Sequence, residues 1–212
     1  MPKKLIAAAA AVVALLAVLA VAGCGGNDQT TSTSQAESTD GAFITAMIPH
    51  HESAIEMAKI AQKQAQHPEI AKLADDIVSA QDAEIADMNT MHQRMFGEPV
   101  DGADHGSLGL DENMMGMSMD MSSLENSKQF DKAFIDAMIP HHQGAIRMAR
   151  IEIAQGQDQQ TKDLAQAIID AQSREIDEMN QWREQWYGSP SPAGGVPMMD
   201  ESTMPTHDEM GH

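Results

Sequence analysis

One cysteine, Cys24, is all the thiol chemistry in this 212-residue chain. A single thiol excludes internal disulfides and a zinc-thiolate site, and leaves the folded part without a thiol nucleophile. Aromatic residues are only 3% of the chain, so a sizeable core has to come from helix length rather than from ring burial. Basic residues are also few, 13 Lys and Arg against 32 Asp and Glu, and a surface of that sign repels nucleic-acid phosphates. It mildly favours cations, although most single carboxylates read as solvated helical faces. No segment alternates apolar and polar residues as a strand would.

The long hydrophobic run that does exist lies at the N-terminus. Lys3 and Lys4 precede an apolar stretch from Leu5 to Ala22 that ends in Val21-Ala22-Gly23-Cys24, the pattern of a secretory signal. Those last four residues resemble the bacterial lipoprotein box, which implies cleavage before Cys24 and a diacylglyceryl thioether on its sulfur. The competing reading is an uncleaved span, since about 18 apolar residues approach the thickness of a bilayer. Residues 1–24 are therefore read as a lipoprotein signal that places the protein on the extracytoplasmic face of the membrane. Residues 25–41, rich in Gly, Ser, Thr and Gln, are a tether reaching roughly 20–25 Å.

The most informative feature is an internal repeat. Phe43–Pro99 aligns without a gap on Phe134–Pro190, an offset of 91 residues, with about two dozen identities. Each copy opens with Ala-Met-Ile-Pro-His-His, continues with helical periodicity, breaks and restarts. At the break Pro68 suits the first position of a helix and Asp158 suits an N-cap, while Gly97 and Gly188, each followed by a proline two residues on, mark the stops. Each copy is thus a helical hairpin, 42–97 and 127–188. Neither hairpin can bury both apolar faces alone, so the expected fold is all-α, an antiparallel four-helix bundle about a pseudo-twofold axis. Its helices of about 25 residues would be some 35–40 Å long.

Polar residues interrupt the predicted core at matching places. Along the second helix Ile70, Ala74, Ile77, Gln81, Glu84, Met88, Met91 and Met95 form an a/d seam, and the other copy repeats it with Ala165, Ile168, Gln172, Glu175, Met179, Trp182 and Trp186. In the first helix His51 has Ile44, Met47, Ile48, Ala54, Ile55 and Ala58 one or two turns away, so it points inward, and His142 does likewise. His50 and His141 flank the seam. A buried carboxylate or imidazole is costly without a partner, so Glu84, Glu175, His51 and His142 should meet one another, a metal or water. Pro49 and Pro140 remove an amide donor just before each histidine pair and predict a local kink. Seam methionines such as Met88 and Met179 read as packing.

Methionine is in excess, 18 in the chain, with a run from Met114 to Met121 in the 98–126 linker and others near Met198, Met199, Met204 and Met210 in the 189–212 tail. These segments read as unstructured. Thioethers with His105, His207 and His212 nearby suit Cu(I) or Ag(I), which prefer soft donors.

The doubled phrase Met-Ile-Pro-His-His followed by Ala-Ile-x-Met-Ala, with Gln-x-x-Glu-Ile-x-x-Met in the next helix, resembles the bacterial family catalogued as domain of unknown function 305. His50, His51, Ala54, Ile55, Met57, Ala58, Gln81, Glu84, Ile85 and Met88 carry the match, as do their counterparts 91 residues on. The resemblance implies a ferritin-like bundle in the cell envelope and, for some similar proteins, copper handling. A di-iron oxidase would need Glu-x-x-His on two helices. Here Glu52 is matched by Gln143, Glu56 by Arg147, and no histidine follows Glu84 or Glu175 by three.

The leading expectation is an extracytoplasmic lipoprotein that binds copper, or silver in its place. Its ligands would be His50, His51, His141 and His142, with Met47 and Met138 assisting and Glu84 and Glu175 orienting. Two alternatives stand beside it. An interaction module for another envelope protein, with structural histidines, would carry no metal. A ferritin-like redox enzyme such as a cuprous oxidase would consume oxygen on adding Cu(I).

Overall fold

The computed structural model describes residues 38–98, 100 and 108–198. The signal segment, Cys24, most of the tether, His105 and the histidines and methionines beyond Met198 lie outside the described residues. Among the described residues all regular structure is helical, in the order α1 (Thr39–Gln64), α2 (Pro68–Phe96), α3 (Met121–Glu125), α4 (Phe130–Gln155) and α5 (Gln159–Tyr187). None of these helices is long and apolar enough to cross a membrane.

The boundaries follow from capping chemistry. Ser38 accepts a hydrogen bond from the Gly41 amide at 3.1 Å, so α1 begins at Thr39, inside the stretch read as tether. Pro68 opens α2, and Asp158 caps α5 by accepting from the Thr161 amide at 3.0 Å. α2 and α5 end on left-handed glycines, Gly97 with φ 79° and Gly188 with φ 85°. Pro49 and Pro140 sit inside α1 and α4, and both helices run on past them.

The helices of each hairpin pack on each other, α1 packs on α4, and α2 touches α5. Two apolar clusters result. One joins Ala54–Ala61 of α1, Ile70–Ile77 of α2, Phe130–Ile139 of α4 and Ile176 and Met179 of α5. The other joins Ala42–Ile48 of α1, Met88 of α2, Ala145–Ile151 of α4 and Ala165 and Ile168 of α5. The start of α1 therefore lies beside the end of α4, so those two helices run antiparallel. Between the clusters is a layer with few apolar side chains, and it is where the histidine pairs fall.

Two segments expected to be unstructured are laid against the helices instead. In the linker, Leu108, Leu110 and Met115 are buried, and Leu124 of α3 is buried as well. In the tail, Gln143 donates to the carbonyls of Ala193 and Gly195 at 2.9 and 2.7 Å, Arg150 donates to that of Pro197 at 2.6 Å, and Ser191 is buried. Composition misleads here, because a few apolar anchors and side-chain donors suffice to dock backbone that lacks any periodic pattern.

Candidate metal centre

The layer is built from one turn of each long helix. α1 contributes His50 and His51, α2 Gln81 and Glu84, α4 His141 and His142, and α5 Gln172 and Glu175. All four histidines are 0–1% exposed, whereas the Glu84 and Glu175 side chains are 20% exposed. The carboxylates thus sit at the rim and reach inward. His51 Nε2 lies 2.7 Å from Glu84 Oε2, and His142 Nε2 lies 2.6 Å from Glu175 Oε2. His50 and His141, expected to flank the seam, are buried against each other instead, with ring centroids 3.7 Å apart. The offset of the two histidines along each helix separates the rings of a doublet by 6.3 Å in α1 and 6.4 Å in α4.

Hydrogen-bond accounting sets the tautomers. An ionised carboxylate only accepts, so Nε2 of His51 and of His142 carries the proton and donates it. His50 Nε2 is 2.9 Å from the Met115 carbonyl and must donate as well. In each of these rings Nδ1 is the remaining nitrogen, buried inside the layer. None of those Nδ1 atoms has a partner, and neither nitrogen of His141 has one. Seven of the nine partnerless buried side-chain atoms among the described residues belong to this layer, the remaining ring nitrogens being joined by Oε1 of Gln81 and of Gln172. A buried polar atom left unpaired costs about 1–3 kcal/mol, so a cluster of them is the signature of a place made for a ligand or water.

The electrostatics favour neutral rings. Burial, reinforced by the nearby His51, lowers the His50 pKa from 6.5 to about 3. His141 is driven well below its ordinary value by the same burial and then by His50. Neutral imidazole is the metal-binding form, so an arriving cation displaces no proton from these two rings.

The sequence-predicted residues thus do meet: both histidine pairs, Glu84 and Glu175 share one layer. Met47 and Met138 are fully buried, in the apolar clusters on opposite sides of it. Among the described residues, however, no three His, Cys, Asp or Glu side chains surround a common point as ligands of one ion. The donor set suits ions satisfied by two soft or borderline donors better than a closed tetrahedral cage.

Sequence reasoning missed three contributors. Met115 acts through its backbone carbonyl, which no residue pattern reveals. Asp40 and Asp131 are 3% and 0% exposed and clasp the turn of the opposite hairpin. A signal for these two existed, because they lie 91 residues apart and extend the repeat upstream of Phe43.

A structure of CopM in the Cu(I)-bound form is 40% identical, with a TM-score of 0.62 over 70% of this chain and 98% of that one. CopM has also been solved with Cu(II), with Ag and in the apo form. A candidate secreted DUF305 protein from Streptomyces coelicolor is 26% identical, with a TM-score of 0.64 over 74% of this chain and 98% of that one. An uncharacterized protein of Acanthamoeba polyphaga mimivirus is 44% identical over 50 residues, which span 33% of that protein. The family model described as a domain of unknown function, DUF305, matches residues 40–183 and again 151–212, and the chain belongs to that family.

Proposed function

We propose that this protein is an exported copper-binding lipoprotein, held on the outer face of the cell membrane through Cys24, whose antiparallel, ferritin-like four-helix bundle takes up Cu(I) and its mimic Ag(I). The observation that carries this reading is the set of five buried imidazole nitrogens without a partner. The donors are Nδ1 of His50, His51 and His142 and a ring nitrogen of His141, with the Met47 and Met138 thioethers assisting. Glu84 and Glu175 act through His51 and His142. A carboxylate that accepts from the far ring nitrogen fixes the tautomer and raises the basicity of the ligating one. The copper-bound and silver-bound forms of a protein 38–40% identical support the choice of ion. The chain's acidic balance and its methionine-rich segments fit the capture and exchange of soft cations. Copper is cargo here, and no chemical step on it is assigned.

The test is a competition titration of the protein against a Cu(I) chelator. Changing His50, His51, His141 and His142 together to alanine should abolish the tight phase, and an affinity equal to wild type would remove the layer from consideration.

A further inference from the structure

Residues 108–125 join the two hairpins, and their path is specific. Leu108, Leu110 and Met115 pack in the apolar cluster on one side of the histidine layer and Leu124 in the cluster on the other. The segment therefore crosses the layer. At the crossing the Met115 carbonyl accepts from His50 Nε2 at 2.9 Å, and Arg147 Nη1 donates to the Met114 carbonyl at 2.9 Å. The approach to α4 is so close that a Cβ on Gly144 would overlap the Met115 carbonyl, and one on Gly116 would overlap the Pro140 carbonyl beside His141. Gly116 also has φ +73°, a conformation costly for other residues.

The crossing is held by the buried Met115 side chain, by the His50 and Arg147 bonds and by little else. Its internal bonds are local turns, Met115 N to Asp111 O, Gly116 N to Asn113 O and Met117 N to Glu112 O at 3.0, 3.1 and 2.8 Å. It can lift without opening any backbone hydrogen bond within a long helix, at the expense of the His50 and Arg147 bonds and of the burial of Met115. A cavity of about 370 Å³ lies alongside, lined by Asn113, Gly116, Met119, Asp120 and Pro140 among others. Met114, 46% exposed, stands on the outer side of the same turn.

We propose that residues 111–118 form a gate over the histidine layer, which opens for passage of a soft cation and closes with the Met115 carbonyl on His50. The inference rests on the metal-binding reading above. An ion on His50 Nδ1 withdraws electron density from the ring and makes Nε2–H a stronger donor. Occupancy therefore tightens the closed state, and uptake and release are both limited by the lifting of the segment.

Two variants open the gate without touching a proposed ligand. Gly144→Ala wedges it from α4, and Arg147→Gln removes its surface clip. Both are measured by amide hydrogen exchange at positions 115–117 and by the rates of Ag(I) transfer to and from a chelator. Each variant should exchange those amides faster and transfer Ag(I) about tenfold faster in both directions, with affinity within about threefold of wild type, as expected when an interaction that gates passage is weakened. In wild type, Ag(I) should slow the same amides. Faster amides with unchanged Ag(I) rates would overturn the gate while leaving the binding site intact, and so would amides unaltered in either variant. A wild-type protein that takes up no Ag(I) would overturn both readings. Arg147→Gln lies at the surface and supplies the measurement even if Gly144→Ala fails to fold.

Discussion

At the histidine layer the hairpins are near copies, His51 meeting Glu84 at 2.7 Å and His142 meeting Glu175 at 2.6 Å. At their turns they differ. The α1–α2 turn is clasped by Asp131, which accepts from the amides of Gln66 and His67 at 2.9 and 2.8 Å and from His67 Nδ1 at 2.5 Å. His67 in turn stacks on Trp186 with centroids 3.7 Å apart. The α4–α5 turn is clasped by Asp40, which accepts from the amides of Gln157 and Asp158 at 2.9 and 2.7 Å. Here the residue matching His67 is Asp158, paired with Arg94 at 2.9 Å, and the residue matching Ala61 is Glu152, buried beside Asp40. A shared aspartate thus does the same geometric task with different neighbours, whereas the layer keeps its chemistry in both halves. Joining turn to helix tolerates many solutions, while a donor set around one layer does not.

The sharpest way to break this comparison is to remove each clasp. Asp131→Ala frees two amides and the partly exposed His67 imidazole and should cost about 2–3 kcal/mol in urea unfolding. Asp40→Ala should cost less, about 1–2 kcal/mol, because it frees two amides and no imidazole, and because losing the Asp40 charge lowers the raised pKa of the neighbouring Glu152. Equal losses would mean that the neighbours do not matter.

The layer should behave in the opposite way. Glu84→Gln and Glu175→Gln should each weaken Cu(I) binding by about 10- to 100-fold, the usual cost of losing an outer carboxylate. A large inequality between the two would show that the pseudo-symmetry is not functional.

The effect at Glu152 depends on pH and vanishes in acid. Burial, and then the Asp40 charge, raise its pKa from 4.5 to about 8. Below pH 4.5 it is protonated in both the folded and the unfolded chain. As pH rises toward 8 the unfolded chain releases this proton while the folded one keeps it, so stability falls across that window and levels off above it. Glu152→Gln should therefore stabilise the protein by on the order of 2 kcal/mol at pH 8 and by almost nothing at pH 4, read from thermal unfolding at both pH values. A stabilisation that does not depend on pH would point to packing instead.

Much of this was legible before any coordinates. The repeat, the two hairpins, the breaks at Pro68 and Asp158 and the stops at Gly97 and Gly188 follow from periodicity and local capping, which need only neighbours in the chain. The inward direction of His51 and His142 was equally plain from the apolar residues a turn away on either side. What could not be read was the ordered path of the methionine-rich linker, because docking by isolated anchors such as Leu108 and Met115 leaves no period in the sequence. The burial of His50 and His141 was hidden as well, since it depends on how far α1 and α4 rotate toward each other.

The amino-acid sequence alone determined which residues lie at the same height in the two hairpins, because an α-helix converts spacing into position at a fixed rise and turn per residue. Only the tertiary structure decided which ring nitrogens find hydrogen-bond partners, that His50 faces His141, and that the linker crosses beside both. Those outcomes depend on contacts between segments far apart in the chain, set by helix packing and by the course of a segment with no repeating pattern.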